Sequence, residues 1–218
     1  MPLKSASSLL PDGQRLDDQA QVERQYPRDR EGLIAQLGDA DPAVRRWAAR
    51  DLGRHPDAVP ALAARLSVEA APAVREAILD ALLAIASDEA VEELLVFLRS
   101  EDAALRNGAV AVLQQLPDPV SRQMQGLLAD ADPDVRIMAI DILQTLAHAE
   151  APRWLADLLG HEGQVNVVGA AIDRLAEIGT EDMLPLLDEV RERFADEPYI
   201  RFATDTVIRR IRGGSSAA

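Results

Sequence analysis

Apolar residues recur along this chain at the spacing of an α-helix, and the pattern itself then repeats. In PAVREAILDALLAI the residues Val74, Ile78, Leu82 and Ile85 follow one another at intervals of four, four and three, and Val135, Ala139, Leu143 and Leu146 repeat the same intervals farther on. Such spacing places the four side chains on one stripe of a helix and predicts a buried face. Ahead of these stripes lie other amphipathic segments: DAVPALAARL from Asp57, EAVEELLVFL from Glu89 and EAPRWLADLL from Glu150. The pattern predicts pairs of antiparallel helices joined by short turns, with Gly38, Gly53, Pro117, Gly160 and Gly179 standing where one helix stops before the next begins.

Each striped helix opens on a similar phrase. DPAVR ends at Arg45, APAVR at Arg75, DAALR at Arg106, DPDVR at Arg136 and EPYIR at Arg201, and a degenerate VNVV ends at Val168, so the anchors are 30 to 33 residues apart. Asp before Pro is a natural helix opening, because Asp accepts a free backbone N–H and Pro has none to leave unsatisfied. An arginine four residues later is unexpected, since the first turn carries the positive end of the helix dipole. A fixed period in this range marks a solenoid, in which each unit buries its apolar face against its neighbours. Six units are visible, and striped helices are expected to start near Pro42, Pro72, Ala103, Pro133, Val165 and Pro198.

The segments DADPAVRRWAARDL (Asp39 to Leu52) and DADPDVRIMAIDIL (Asp130 to Leu143) resemble the HEAT-like repeats of the phycobilisome-lyase type, whose units read D-x-D-x-x-V-R-x-x-A-x-x-A-L. The resemblance implies an all-α fold, a right-handed alpha-alpha superhelix of about six helix-pair repeats. It also implies that Arg45, Arg75, Arg106, Arg136 and Arg201 form a structural ladder, reaching acidic side chains or helix-end carbonyls of their own or the adjacent unit. Asp39, Asp41, Asp102, Asp130, Asp132 and Glu197 lie four or six residues before an anchor and are the candidate carboxylates. The fifth unit departs most, with Val168 in place of Arg and Gly169 after it, and a local loosening is expected there. The repeats are expected over residues 29–212, between a flexible or capping segment 1–28, with a weak helical possibility from Leu16 to Tyr26, and a flexible tail 213–218.

Composition narrows the function classes. With 48% hydrophobic and 28% charged residues the chain suits a folded, soluble domain, and no apolar run reaches the roughly 18 residues that span a bilayer. A cytoplasmic location is expected. Zero cysteines remove disulfides, thiolate nucleophiles and zinc–thiolate sites. The formal charge of −14, from 23 basic and 37 acidic residues, argues against nucleic acid, because a polyanion binds by exchanging its counterions for local positive charge.

Catalytic patterns are absent: the sequence holds no G-x-S-x-G, G-x-G-x-x-G, G-x-x-x-x-G-K or H-E-x-x-H. His55, His148 and His161 are read as solvated turn residues, since a metal needs several converging ligands. No catalytic, cofactor-binding or metal residue is assigned, and no cofactor is expected. The reading that remains is a non-enzymatic scaffold that binds a partner protein on its second helices. The alternative that the resemblance implies is a phycobilin-lyase-like role in chromophore attachment, or a chaperone.

The binding face follows from helix geometry. One and five residues after each anchor, side chains point away from the buried stripe. The five-residue position reads Arg50, Asp80, Ala111, Asp141, Asp173 and Thr206, the one-residue position includes Arg46, Glu76, Ile137 and Phe202, and Trp47 and Glu177 stand close by. Acidic residues with apolar footholds suit a basic amphipathic helix or tail of a protein partner. Trp154, on an apolar first-helix face, is expected in the core; for Trp47 packing and exposure weigh about equally.

Overall fold

A computed structural model describes residues 27, 29–146 and 148–214. Of the expected flexible or capping segment 1–28 all but residue 27 lies outside these, as do residues 215–218 of the expected tail 213–218. Among the described residues the chain is all-helical, with thirteen α-helices and three short 3₁₀ turns. They sort into two compact units, up to Ile85 and from Ala86.

The first unit holds α1 (Arg30–Gln36), α2 (Pro42–Leu52), α3 (Val59–Val68) and α4 (Pro72–Ile85). The second holds α5 (Asp88–Val96), α6 (Ala103–Leu113), α7 (Pro117–Ser121), α8 (Met124–Leu128), α9 (Pro133–Leu143), α10 (Ala151–His161), α11 (Val165–Ile178), α12 (Leu184–Arg193) and α13 (Pro198–Gly214). All six striped helices begin at the residues that the repeated phrase marks. Consecutive second helices pack within each unit, α2 on α4 in the first and α6, α9, α11 and α13 in order in the second. The first helix of the fourth pair is broken into α7 and α8.

The stripes form the cores. Val74, Ile78 and Leu82 are buried with Leu62 and Leu66 in the first unit, and Val135, Ala139, Leu143 and Leu146 with Leu113 and Met124 in the second. Capping fixes where the second helices start. The carboxylates of Asp41, Asp102 and Asp132 accept the N–H of Ala43, Ala104 and Asp134 at 2.8, 2.9 and 2.9 Å, satisfying donors that the first helical turn leaves free.

Several terminations differ from the sequence reading. Gly160 lies inside the last turn of α10, and Pro117 opens α7. Gly53 and Gly179 do follow α2 and α11, but with φ of −58° and −65°. The left-handed position after α4 is instead taken by Ala86, with φ 52°. Gly169 introduces no break, and α11 runs through it from Val165 to Ile178.

Candidate functional site

The anchor arginines share one contact. Arg45, Arg75, Arg106, Arg136 and Arg201 each donate to the backbone carbonyl six residues before them, at Asp39, Glu69, Ser100, Asp130 and Ala195, over 2.9, 2.6, 2.6, 2.6 and 3.5 Å. A guanidinium in the first turn is therefore turned back from the positive helix end toward acceptors in the preceding loop.

The residue at that same place, six before the anchor position, has a common task in the first five repeats, the sixth having Ala195 there. Its side chain accepts the backbone N–H two residues on: Asp39 from Asp41 at 2.8 Å, Glu69 from Ala71 at 2.8 Å, Ser100 from Asp102 at 3.2 Å, Asp130 from Asp132 at 2.9 Å and Glu162 from Gln164 at 2.8 Å. Where the residue is Glu, one extra methylene lets it also meet the previous anchor. Arg45 grips Glu69 through Nε and Nη2, both at 2.8 Å. Arg136 grips Glu162 the same way at 2.7 and 3.1 Å. This two-pronged geometry suits the planar fork of Arg and is unavailable to Lys.

The carboxylates on these two anchors are thus Glu69 and Glu162, not the aspartates that the spacing suggests. Asp41, Asp102 and Asp132 cap helices, Asp130 pairs with Arg99, and Glu197 is exposed. Glu69 is fully buried and also takes Arg65 at 2.7 Å. The hydrogen bond from Arg45 holds its carboxyl down to about 2, against the opposing effect of burial. Burial pushes the Glu162 carboxyl up, but the Gln164 N–H and the Arg136 guanidinium outweigh it and hold the group below its ordinary range. Both glutamates sit at the same offset as Asp39 and Asp130, so their local cap is visible in the sequence. Their reach to the previous anchor is not.

The outward positions of the second helices are taken unit by unit. In the first, Arg46, Trp47 and Arg50 on α2 and Glu76 and Asp80 on α4 are all exposed. Trp47 is 46% exposed, with the Arg50 guanidinium 5.4 Å from its ring centre. In the second, Ile137 and Asp141 on α9 are half-buried, while Asp173 and Glu177 on α11 and Phe202 on α13 are exposed. Burial pushes the Asp141 carboxyl up, and among the described residues it has no ion-pair partner. Glu177 is engaged by Arg174, a buried guanidinium at a place where Ala81, Val112, Ile142 and Val207 stand in other repeats; its Nε has no hydrogen-bond partner among the described residues.

Tyr199 belongs to the second face although the periodicity did not single it out. It is 54% exposed beside Phe202 at 66%, and its hydroxyl donates to Asp173 at 2.7 Å. Gly169 makes room for it: a Cβ there would stand 3.1 Å from the Tyr199 ring. The bond to Asp173 pushes the phenol up and spreads the carboxylate's charge toward the aromatic pair.

Elsewhere the structure corrects the histidine reading. His148 stays in the loop between α9 and α10 but stacks on Trp154 with ring centres 4.6 Å apart, and its Nδ1 accepts the N–H of Glu150 at 3.2 Å; His161 is exposed at the end of α10, and His55 lies in the turn after α2. Trp154 is buried, as its apolar surroundings predict. Among the described residues no group of three His, Asp or Glu could hold a metal ion, and no helix is long and apolar enough to cross a membrane.

The family model described as HEAT repeats matches residues 30–114 and again 120–204. No curated protein matches the chain in sequence. Among solved structures, the archaeal HEAT-like repeats protein from Thermococcus onnurineus NA1 is similar at 18% identity and a TM-score of 0.52, over 91% of this chain and 93% of that one. A designed armadillo repeat protein is 17% identical over 82% of this chain and 98% of its own, with a TM-score of 0.37. The complex of CpcE and CpcF of phycocyanin lyase from Nostoc sp. PCC7120 is 18% identical, over 84% of this chain and 94% of that one, with a TM-score of 0.36.

Proposed function

We propose, from the premise that this chain belongs to the HEAT-repeat family, that it is a non-enzymatic interaction module whose second unit receives a basic amphipathic helix or tail from a partner protein. The observation that carries this is the pair Tyr199 and Phe202, both more than half exposed, beside the carboxylate of Asp173. Aromatic surface of this size costs free energy in water and is recovered when a partner covers it. Asp141 supplies the second support: it is half-buried without an ion pair among the described residues, and a partner cation would offset its desolvation. Ile137, one turn before Asp141 on the same helix, adds an apolar foothold beside that charge. Glu177 contributes less, because Arg174 already holds it.

The reading is tested with a synthetic amphipathic helix of Leu and Lys as probe. Replacing Asp141 and Asp173 by Lys together should weaken its binding about tenfold or more, and wild-type affinity should fall with added salt. Phe202→Ser should weaken binding without changing the salt dependence. Unchanged affinity in both variants, with the helical signal intact, would remove this face as the docking site.

A further inference from the structure

The outward face of the first unit differs in kind from that of the second. Arg46 and Arg50 on α2 and Glu76 and Asp80 on α4, with Ala73 and Ala77, line one cavity of about 210 Å³. Two like charges thus stand on each side, basic on α2 and acidic on α4, yet among the described residues Arg46, Glu76 and Asp80 make no ion pair or side-chain hydrogen bond, and Arg50 lies only over the Trp47 ring. The alanines leave space where larger residues would fill the groove.

The spacing of these charges selects a ligand geometry. Residues four apart on a helix stand about 6 Å apart along its axis, which sets both the Arg46–Arg50 and the Glu76–Asp80 intervals. In an extended peptide, alternate residues point to the same side and repeat every 6.6 Å or so, while their neighbours point to the opposite side. A peptide lying along the groove therefore presents one set of side chains to α2 and the other to α4, in near register with both rows. A helical ligand would not separate neighbouring residues this way.

We infer that the groove between α2 and α4 binds an extended peptide segment in which acidic and basic residues alternate. Its carboxylates meet Arg46 and Arg50, whose planar guanidinium groups can each engage both oxygens. Its ammonium groups meet Glu76 and Asp80. The exposed Trp47 ring offers a flat surface for the aliphatic stems of the segment. This site lies wholly within the first unit, and it stands or falls independently of the face proposed on the second.

The test compares two capped eight-residue peptides of equal composition by fluorescence anisotropy with the full chain at low salt. One alternates Glu and Lys; the other carries four Glu followed by four Lys. Neither is long enough to form a stable helix by itself. The alternating peptide should bind about tenfold tighter or more, and its affinity should fall as salt is added. Replacing Arg46 and Arg50 by Glu should abolish the preference. Exchanging both rows, with Arg46→Glu, Arg50→Glu, Glu76→Arg and Asp80→Arg, should restore binding to within about threefold, because shifting the peptide by one residue restores every pairing. Equal affinity of the wild-type chain for the two peptides, or binding of neither, would overturn the inference without reference to any variant.

Discussion

At the residue scale, the arginines of the repeated phrase differ in what their loss would expose. Removing Arg136 leaves the buried Glu162 without an ion-pair partner among the described residues, and removing Arg45 leaves the buried Glu69 with Arg65 alone, whereas removing Arg106 chiefly frees the Ser100 carbonyl. Breaking a buried pair costs more than losing one hydrogen bond. Denaturant unfolding should show Arg45→Ala and Arg136→Ala destabilised by about 2 to 4 kcal/mol and Arg106→Ala by about 1 kcal/mol. Arg46→Ala, solvent-exposed one residue beyond an anchor, should change stability by less than about 0.5 kcal/mol. Glu69 adds a pH signature. Its native pKa of about 2 lies below the ordinary 4.5, so its contribution is complete above the higher value and is lost as pH falls through the lower. Stability of the wild-type chain should therefore drop between about pH 4.5 and pH 2, and Arg45→Ala should flatten part of that drop, as acid titration of the unfolding free energy would show.

At the element scale, the helix starts were legible and the helix ends only in part, at Gly53 and Gly179. Starts are local events: Asp or Pro in the phrase satisfies or removes the free donors of the first turn, whatever packs above. Ends depend on what the chain must do next. Gly160 is carried into α10, and Arg193 of α12 takes the carbonyls of Leu159 and Gly160 at 2.5 and 3.1 Å, so a neighbouring pair caps that helix. Arg210 does the same for α11 at the Leu175 and Gly179 carbonyls, at 3.2 and 2.6 Å. The strained end is that of α4, where Ala86 holds a left-handed φ of 52°. For an L-residue this costs about 1 to 2 kcal/mol, while glycine adds about 0.5 to 1 kcal/mol of unfolded-state entropy. Ala86→Gly should thus raise stability by up to about 1 kcal/mol, measured as a shift of the denaturation midpoint at unchanged slope.

At the scale of the whole molecule, the formal charge of −14 favours expansion through self-repulsion. Raising salt from about 0.01 M to about 0.1 M shortens the screening length from about 30 Å to about 10 Å. Buried pairs such as Arg45–Glu69 are little affected by this, whereas the exposed acidic excess is screened. The thermal midpoint should rise over that interval; a fall in a calorimetric scan would mean that surface ion pairs outweigh the net repulsion. The same excess of acid hid the two-signed groove of the first unit, because a net charge averages over rows that helix geometry keeps apart.

The helical class, the six repeats, their second-helix starts and the buried stripes all follow from the sequence by itself. Each depends on neighbours a few residues away or on a period that needs no partner to be seen. The tertiary structure alone decided which carboxylates Arg45 and Arg136 meet. Glu69 and Glu162 join Arg45 and Arg136 across 24 and 26 residues because the extra methylene of Glu bridges two loops that packing brings together. It alone also set Tyr199 over Gly169 and left Arg46, Arg50, Glu76 and Asp80 facing one cavity. A contact between side chains of different helices depends on how closely two axes approach, a distance that local spacing does not contain.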